Sequence, residues 1–76
     1  MKPKAIDVKA LSDYKIEVTF EDGKKGIFDV KPYLEFIQFK DLKNIDLFNT
    51  VKISGLSISW DNGADICPDE LYNGTK

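Results

Sequence analysis

From Tyr14 to Phe20 the chain alternates without a break, with Tyr14, Ile16, Val18 and Phe20 apolar and Lys15, Glu17 and Thr19 polar. A period of two puts successive side chains on opposite faces of a pleat, so this stretch predicts a strand with one buried face. Glu21-Asp22-Gly23-Lys24 follows directly. Asp-Gly is a hairpin signal, because glycine accepts the positive φ that such turns require. A return strand from Lys25 to Val30 is therefore expected, with Ile27 on the face opposite Phe28. Such a strand is either covered on both sides or twisted by a bulge near Gly26.

The flanking segments extend this pattern. Ile6, Val8 and Ala10 alternate with Asp7 and Lys9, which predicts a preceding strand, and Ser12-Asp13 reads as its turn. Lys31-Pro32 ends the third strand, since proline cannot donate to a ladder. The rhythm then changes. Tyr33, Leu34, Phe36, Ile37, Phe39, Leu42, Ile45, Leu47 and Phe48 recur at spacings of three and four, which suggests one or two short helices. Asp41 and Asp46 are candidate N-caps, and Asp46 to Asn49 reads as a single helical turn. Alternation returns with Val51 and Ile53, breaks at Gly55, and resumes with Leu56, Ile58 and Trp60. Asp61-Asn62-Gly63 is a tight turn and Ala64-Asp65-Ile66 a short extended stub. Cys67 to Tyr72 resembles a helix start, with Pro68 first and Asp69 and Glu70 in the opening turn.

The connections are too short for parallel crossovers. The expectation is an α+β fold: a small antiparallel sheet of about five short strands with two or three short helices. One domain spans 1–76, with 73–76 read as a flexible tail. A chain of 76 residues buries only roughly 60–65% of its unfolded surface, so a stability near 5 kcal/mol is expected.

Absences limit the chemistry. All 11 cationic side chains are lysines; there is no arginine, no histidine, and one cysteine, Cys67. Histidine triads, histidine metal sites and arginine fingers cannot be built from this chain, nor can a cysteine zinc site. Cys67 has no partner for a disulfide within the chain, which suits a reducing compartment. No signal-like or membrane-spanning apolar run is present, so a cytoplasmic location and no membrane association are expected. The charge, 11 − 13 = −2, argues against direct nucleic-acid binding, which depends on neutralising phosphates. Residues 34–76 carry four lysines against seven acids, so a charged partner meeting that half is expected to be basic.

Several segments together resemble a known bacterial family. They are Asp13-Tyr14-Lys15-Ile16 running to Val18-Thr19-Phe20-Glu21-Asp22-Gly23, Gly26-Ile27-Phe28-Asp29-Val30 with Pro32-Tyr33-Leu34, Phe48 before Val51-Lys52-Ile53, and Ile58 through Tyr72. Their order and spacing resemble the small proteins classed as domain of unknown function 2442, over about residues 5–72. The resemblance implies an α+β domain with an antiparallel sheet. Some members of that family stand alone and others carry a helix-turn-helix domain after the module. Many are encoded beside another small protein, which has prompted a toxin–antitoxin suggestion. The resemblance carries over no catalytic residue.

The densest polar cluster is Trp60-Asp61-Asn62-Gly63-Ala64-Asp65 with Asp69 and Glu70. In a functional reading Trp60 is a flat apolar platform, Asp61, Asn62 and Asp65 bond a ligand or a partner lysine, and Tyr72 completes the lining. In a structural reading Trp60 fills the core, Asn62-Gly63 closes a turn and Asp61 bonds the turn backbone. The acids do not follow the spacing of a calcium loop. Cys67 lacks a histidine base, and such a cysteine is more often a small buried hydrophobe. No catalytic residue, metal site or cofactor is expected.

Nine aromatic residues are many for a core this size. Those left uncovered would form a surface patch of the kind that marks protein contacts. The favoured expectation is a protein-interaction module without catalytic activity, either self-associating or paired with a neighbouring small protein. The alternative is a small-molecule-binding domain with its pocket near Trp60 and Tyr72.

Overall fold

The computed structural model describes residues 3–76. Its class is α+β, as expected, but six strands form two sheets rather than one. The first sheet holds β1 (Ala5–Ala10), β2 (Lys15–Phe20) and β3 (Lys25–Asp29), antiparallel in the order β1-β2-β3. The second holds β4 (Lys52–Ser54), β5 (Ser57–Ser59) and β6 (Asp65–Ile66), antiparallel in the order β4-β5-β6. Between the sheets the chain winds through 3-10 turns at Lys31–Glu35 and Lys40–Lys43 and the short helix α1 (Ile45–Phe48). A last helix, α2 (Pro68–Gly74), follows β6. The wound segment separates the two sets of strands, so each set pairs within itself. The Ala5 N–H donates to the Leu56 carbonyl at 3.2 Å and ties the sheets together.

The alternation in β2 is realised in full. Ile16, Val18 and Phe20 are buried while the residues between them are half-exposed. In β1 the pattern is broken by a bulge between Ala5 and Asp7. The bulge turns Ala5 into the core and leaves Ile6 exposed, the reverse of what alternation predicts. Leu56 is likewise exposed, because it occupies the two-residue turn between β4 and β5, with Gly55 at φ +59° before it.

Two hairpins share one construction. In the first, the Gly23 N–H donates to Phe20 O, the Phe20 N–H to Lys24 O, and the Lys24 N–H to Asp22 Oδ1, with Gly23 at φ +94°. In the second, Gly63 donates to Trp60 O, Trp60 to Ala64 O and Ala64 to Asn62 Oδ1, with Gly63 at φ +90°. Each is a three-residue loop whose last residue is left-handed, the geometry glycine tolerates. The β1–β2 turn is less orthodox. Asp13 and Tyr14 both adopt positive φ, 60° and 58°, without a glycine. Tyr14 is held there by an edge-on contact with Phe48, centroids 5.4 Å apart, and by a hydroxyl bond to the Lys43 carbonyl.

β3 carries no bulge at Gly26; its register with β2 is continuous. Gly26 answers a different need. A Cβ there would lie 2.7 Å from the carbonyl carbon of Lys76 and 2.8 Å from its oxygen. Residues 73–76, expected as a flexible tail, pack along this strand: Thr75 is buried and the Lys76 N–H donates to Ile27 O at 2.9 Å.

Candidate functional site

After β3 the chain makes two separate 3-10 turns, Lys31–Glu35 and Lys40–Lys43, parted by an extended backbone at Phe36 (φ −86°, ψ 146°). The N–H of Tyr33 donates to Val30 O, Phe36 to Tyr33, Phe39 to Phe36 and Leu42 to Phe39, at 2.8 to 3.0 Å. Each bond spans three residues, as in a 3-10 turn, but the extended backbone at Phe36 breaks the winding between the two turns. Of the residues these bonds join, Val30, Phe39 and Leu42 are buried, Tyr33 is half-buried and Phe36 is exposed. Helical turns were expected here, and 3-10 winding is what the spacing of three produces. The predicted caps are corrected. Asn44 caps α1, its Oδ1 accepting from the Asp46 N–H at 2.9 Å, and Asp46 sits in the first turn. Phe39 precedes the second 3-10 turn without a side-chain cap, and Asp41 lies inside it.

Leu34 and Glu35 of the first turn, Lys40 and Lys43 of the second, and Ile37 between them line an open groove of about 330 Å³. Leu34 is buried and forms its floor; Ile37 stands 87% exposed. Phe36 and Ile45, in the same wound segment, are also about half exposed. Among the described residues neither Lys40 nor Lys43 forms an ion pair with a carboxylate, whereas Lys15 and Lys31 pair with Asp13, Lys25 with Glu17 and Lys52 with Asp61.

The residues singled out in the sequence do not assemble as a binding site around an exposed indole. Trp60 is 1% exposed, and its Nε1 donates to the Phe48 carbonyl at 2.9 Å. Phe39 meets its ring edge-on and Phe48 lies against it at a tilt. Asp61 is exposed, pairs with Lys52 Nζ at 3.1 Å, and accepts nothing from its own turn; its N–H donates to Thr50 Oγ1. The bond to the turn backbone that the structural reading gave to Asp61 is made by Asn62, whose Oδ1 accepts from the Ala64 N–H at 3.1 Å. Asp65 is exposed on β6 opposite Ser59. Tyr72 faces the β2–β3 hairpin: its hydroxyl donates to Asp22 Oδ2 at 2.7 Å, its ring meets Phe20 edge-on, and Lys24 Nζ sits 4.1 Å above it. Cys67 occupies the N-cap position of α2 without a side-chain cap bond, and is exposed rather than buried. Among the described residues no three histidine, cysteine, aspartate or glutamate side chains converge as a metal ligand set.

Electrostatics follow these contacts. The Lys31 and Lys15 ammonium groups bonded to Asp13 hold its carboxyl below the usual aspartate range. The Lys24 N–H and the Tyr72 hydroxyl do the same for Asp22. Burial and the bond to Glu70 push the Tyr33 phenol up to about 12.

The aromatic surplus resolves differently from the sequence expectation. Phe20, Phe28, Phe39, Phe48 and Trp60 are buried and only Phe36 is exposed among the large rings. What the core leaves out is chiefly aliphatic: Ile6, Ile37, Ile45, Ile53 and Leu56. Nothing in the sequence announced the groove, because it lies between two short turns whose relative placement is set by the extended backbone at Phe36.

Fold and surface together define a small α+β domain built of two antiparallel three-stranded sheets joined by a 3-10 segment. The chain belongs to the DUF2442 family, described as a protein of unknown function, whose model matches residues 5–76. No curated protein and no solved structure matches it. No helix among the described residues is long and apolar enough to cross a membrane.

Proposed function

We propose that this chain is a protein-interaction module that acts by binding and not by catalysis, either with a second copy or with a neighbouring small protein. The observation that supports this most directly is the pair Phe36 and Ile37, 55% and 87% exposed, of which Ile37 lines the groove. Adjacent large apolar side chains facing water mark contact surfaces. The sequence supports the non-catalytic part, since neither histidine nor arginine is present. One exposed thiol, Cys67, suits a reducing compartment, and we place the protein in the bacterial cytoplasm.

Light scattering on the purified chain, alone and mixed with any small protein encoded beside it, tests the proposal. A complex that Ile37→Ser and Phe36→Ser both weaken supports it. A strict monomer that ignores its neighbour at micromolar concentration overturns it. Binding of a small molecule at Trp60 and Tyr72 is less favoured, because the indole is enclosed and its N–H is already bonded.

A further inference from the structure

We infer that two copies of this chain pair through the outer edge of β3, antiparallel and centred on Ile27, so that Lys25 of each copy faces Asp29 of the other. The inference deepens the interaction reading and rests on it: it chooses the second copy as partner and uses neither Phe36 nor Ile37.

Hydrogen bonds at both ends of the strand fix which backbone groups face outward. The Phe20 N–H donates to Lys24 O before β3, and the Val30 N–H donates to Tyr14 O after it. The register between them is continuous, with Val18 opposite Gly26 and Ile16 opposite Phe28. Bonded pairs alternate in an antiparallel ladder, so Gly26 and Phe28 bond β2, and the N–H and C=O of Lys25, Ile27 and Asp29 point away from it. β3 is an outer strand of its sheet. Among the described residues one backbone group bonds this edge, the Lys76 N–H on Ile27 O at 2.9 Å. β1, the other outer strand, is not equivalent, because its Ala5 N–H is bonded to Leu56 O at the β4–β5 turn.

Edge strands are commonly blunted by a proline, a bulge or repelling charges. β3 has no proline and no bulge, and its two charges are opposite in sign. Turned end for end about Ile27, the sequence Lys25-Gly26-Ile27-Phe28-Asp29 sets lysine against aspartate at both ends, Ile27 against Ile27, and Gly26 against Phe28. Lys25, Ile27 and Asp29 share the face opposite buried Phe28; the two charged residues are exposed and Ile27 is half-buried. Opposite charges directly across an antiparallel pair attract, and like charges repel. The pairs matched in charge are also the ones whose backbone groups point outward, so about six hydrogen bonds can form across the edge. Such a contact is isologous and closes at two copies. Within its own chain Lys25 is 3.8 Å from Glu17, the longest of the described ion pairs.

Lys76 and the second copy compete for one carbonyl. In the pair, the Ile27 N–H of each copy takes the Ile27 O of the other, the acceptor that Lys76 holds in the single chain. Lys76 therefore covers the edge in the single chain and leaves it when copies pair.

The test uses the intact chain, with light scattering and amide hydrogen exchange followed as its concentration is raised. The expected result is a dimer in which the Ile27 amide gains protection while the Lys76 amide loses it. Two charge variants test the register. Lys25→Glu sets acids against each other across the edge, and Asp29→Lys sets lysines against each other. Each is expected to weaken self-pairing by about tenfold. Mixed one to one, the two variants again place opposite charges across the edge, and a mixed pair of wild-type strength is expected. Recovery on mixing also shows that both variants are folded. Variants that pair with themselves as tightly as the wild type overturn the inference, as does a mixture that stays monomeric while each variant keeps a native amide spectrum. A dimer whose Ile27 amide exchanges as in the single chain overturns it too, and leaves the interaction module standing. A monomer that binds a neighbouring small protein has the same meaning. A chain that stays monomeric and ignores any neighbour removes both readings.

Discussion

Trp60 and Phe48 are joined twice. The indole Nε1 donates to the Phe48 carbonyl at 2.9 Å, and the two rings lie 6.1 Å apart at 31°. The bond spans from the residue after β5 to the end of α1, and both side chains are buried. Phe39 adds an edge-on ring to Trp60 and Tyr14 adds one to Phe48, so one aromatic cluster ties the 3-10 segment, α1, β5 and the β1–β2 turn together.

Trp60→Phe keeps most of the ring and removes the donor, leaving the Phe48 carbonyl without this partner in a dry interior. A loss of about 2 kcal/mol is expected in urea unfolding. The native indole, enclosed on all sides, is expected to emit in the blue and to resist iodide. An emission maximum typical of exposed tryptophan would contradict the packing.

Gly26→Ala and Gly63→Ala separate two reasons for glycine. At Gly26 the added methyl meets Lys76 backbone at 2.7 Å, so strand and tail must part, at a cost of about 1–3 kcal/mol. The Lys76 amide, bonded to Ile27 O, is expected to lose hydrogen-exchange protection. At Gly63 there is open space but φ is +90°, so the cost is backbone strain of about 1 kcal/mol, without effect on Lys76. Equal exchange at Lys76 in both variants would remove the distinction.

Tyr14→Phe keeps the edge-on contact with Phe48 and deletes the bond to Lys43 O. An exposed neutral bond of this kind is worth about 0.5–1 kcal/mol. Tyr14→Ala is expected to cost more, because the left-handed backbone at φ 58° then loses its packing anchor as well. If the alanine variant is as stable as the phenylalanine one, the ring does not hold the turn.

Tyr33 gives an alkaline signature. Its phenol ionises near 10 in the unfolded chain and near 12 in the folded one. Its contribution is therefore complete below pH 10 and is lost as pH rises towards 12, since the unfolded chain releases the proton first. Stability measured across that interval should fall more steeply for the wild type than for Tyr33→Phe. Asp22 acts in the opposite direction: its folded pKa is depressed, so its contribution is present above the ordinary value of 3.8 and is lost as pH falls through the lower folded value. Tyr72→Phe removes one cause of that depression.

Ile37→Ser and Leu34→Ala contrast the rim and the floor of the groove. Ile37 is 87% exposed, so its replacement should change stability by no more than about 0.5 kcal/mol while weakening any complex made through it. Leu34 is 5% exposed, and its truncation should cost about 2–4 kcal/mol. Thermal unfolding of both variants checks the pair; equal losses would mean that Ile37 is not free.

Local patterns by themselves determined a good deal of this protein. Alternation with Asp-Gly and Asn-Gly placed both three-residue hairpins, Pro68 with Asp69 and Glu70 placed α2, and short connections made the sheets antiparallel. Those signals act within a few residues, where the backbone's own preferences decide. Tertiary structure alone decided the rest. It divided the strands into two sheets, turned Ala5 inward and Ile6 outward at a bulge, and enclosed Trp60 between Phe39 and Phe48. It made Gly26 the seat of the tail and brought Leu34, Ile37, Lys40 and Lys43 to one groove. Alternation says that one face of a strand is buried, but which side chain is covered depends on what distant part of the chain arrives to cover it.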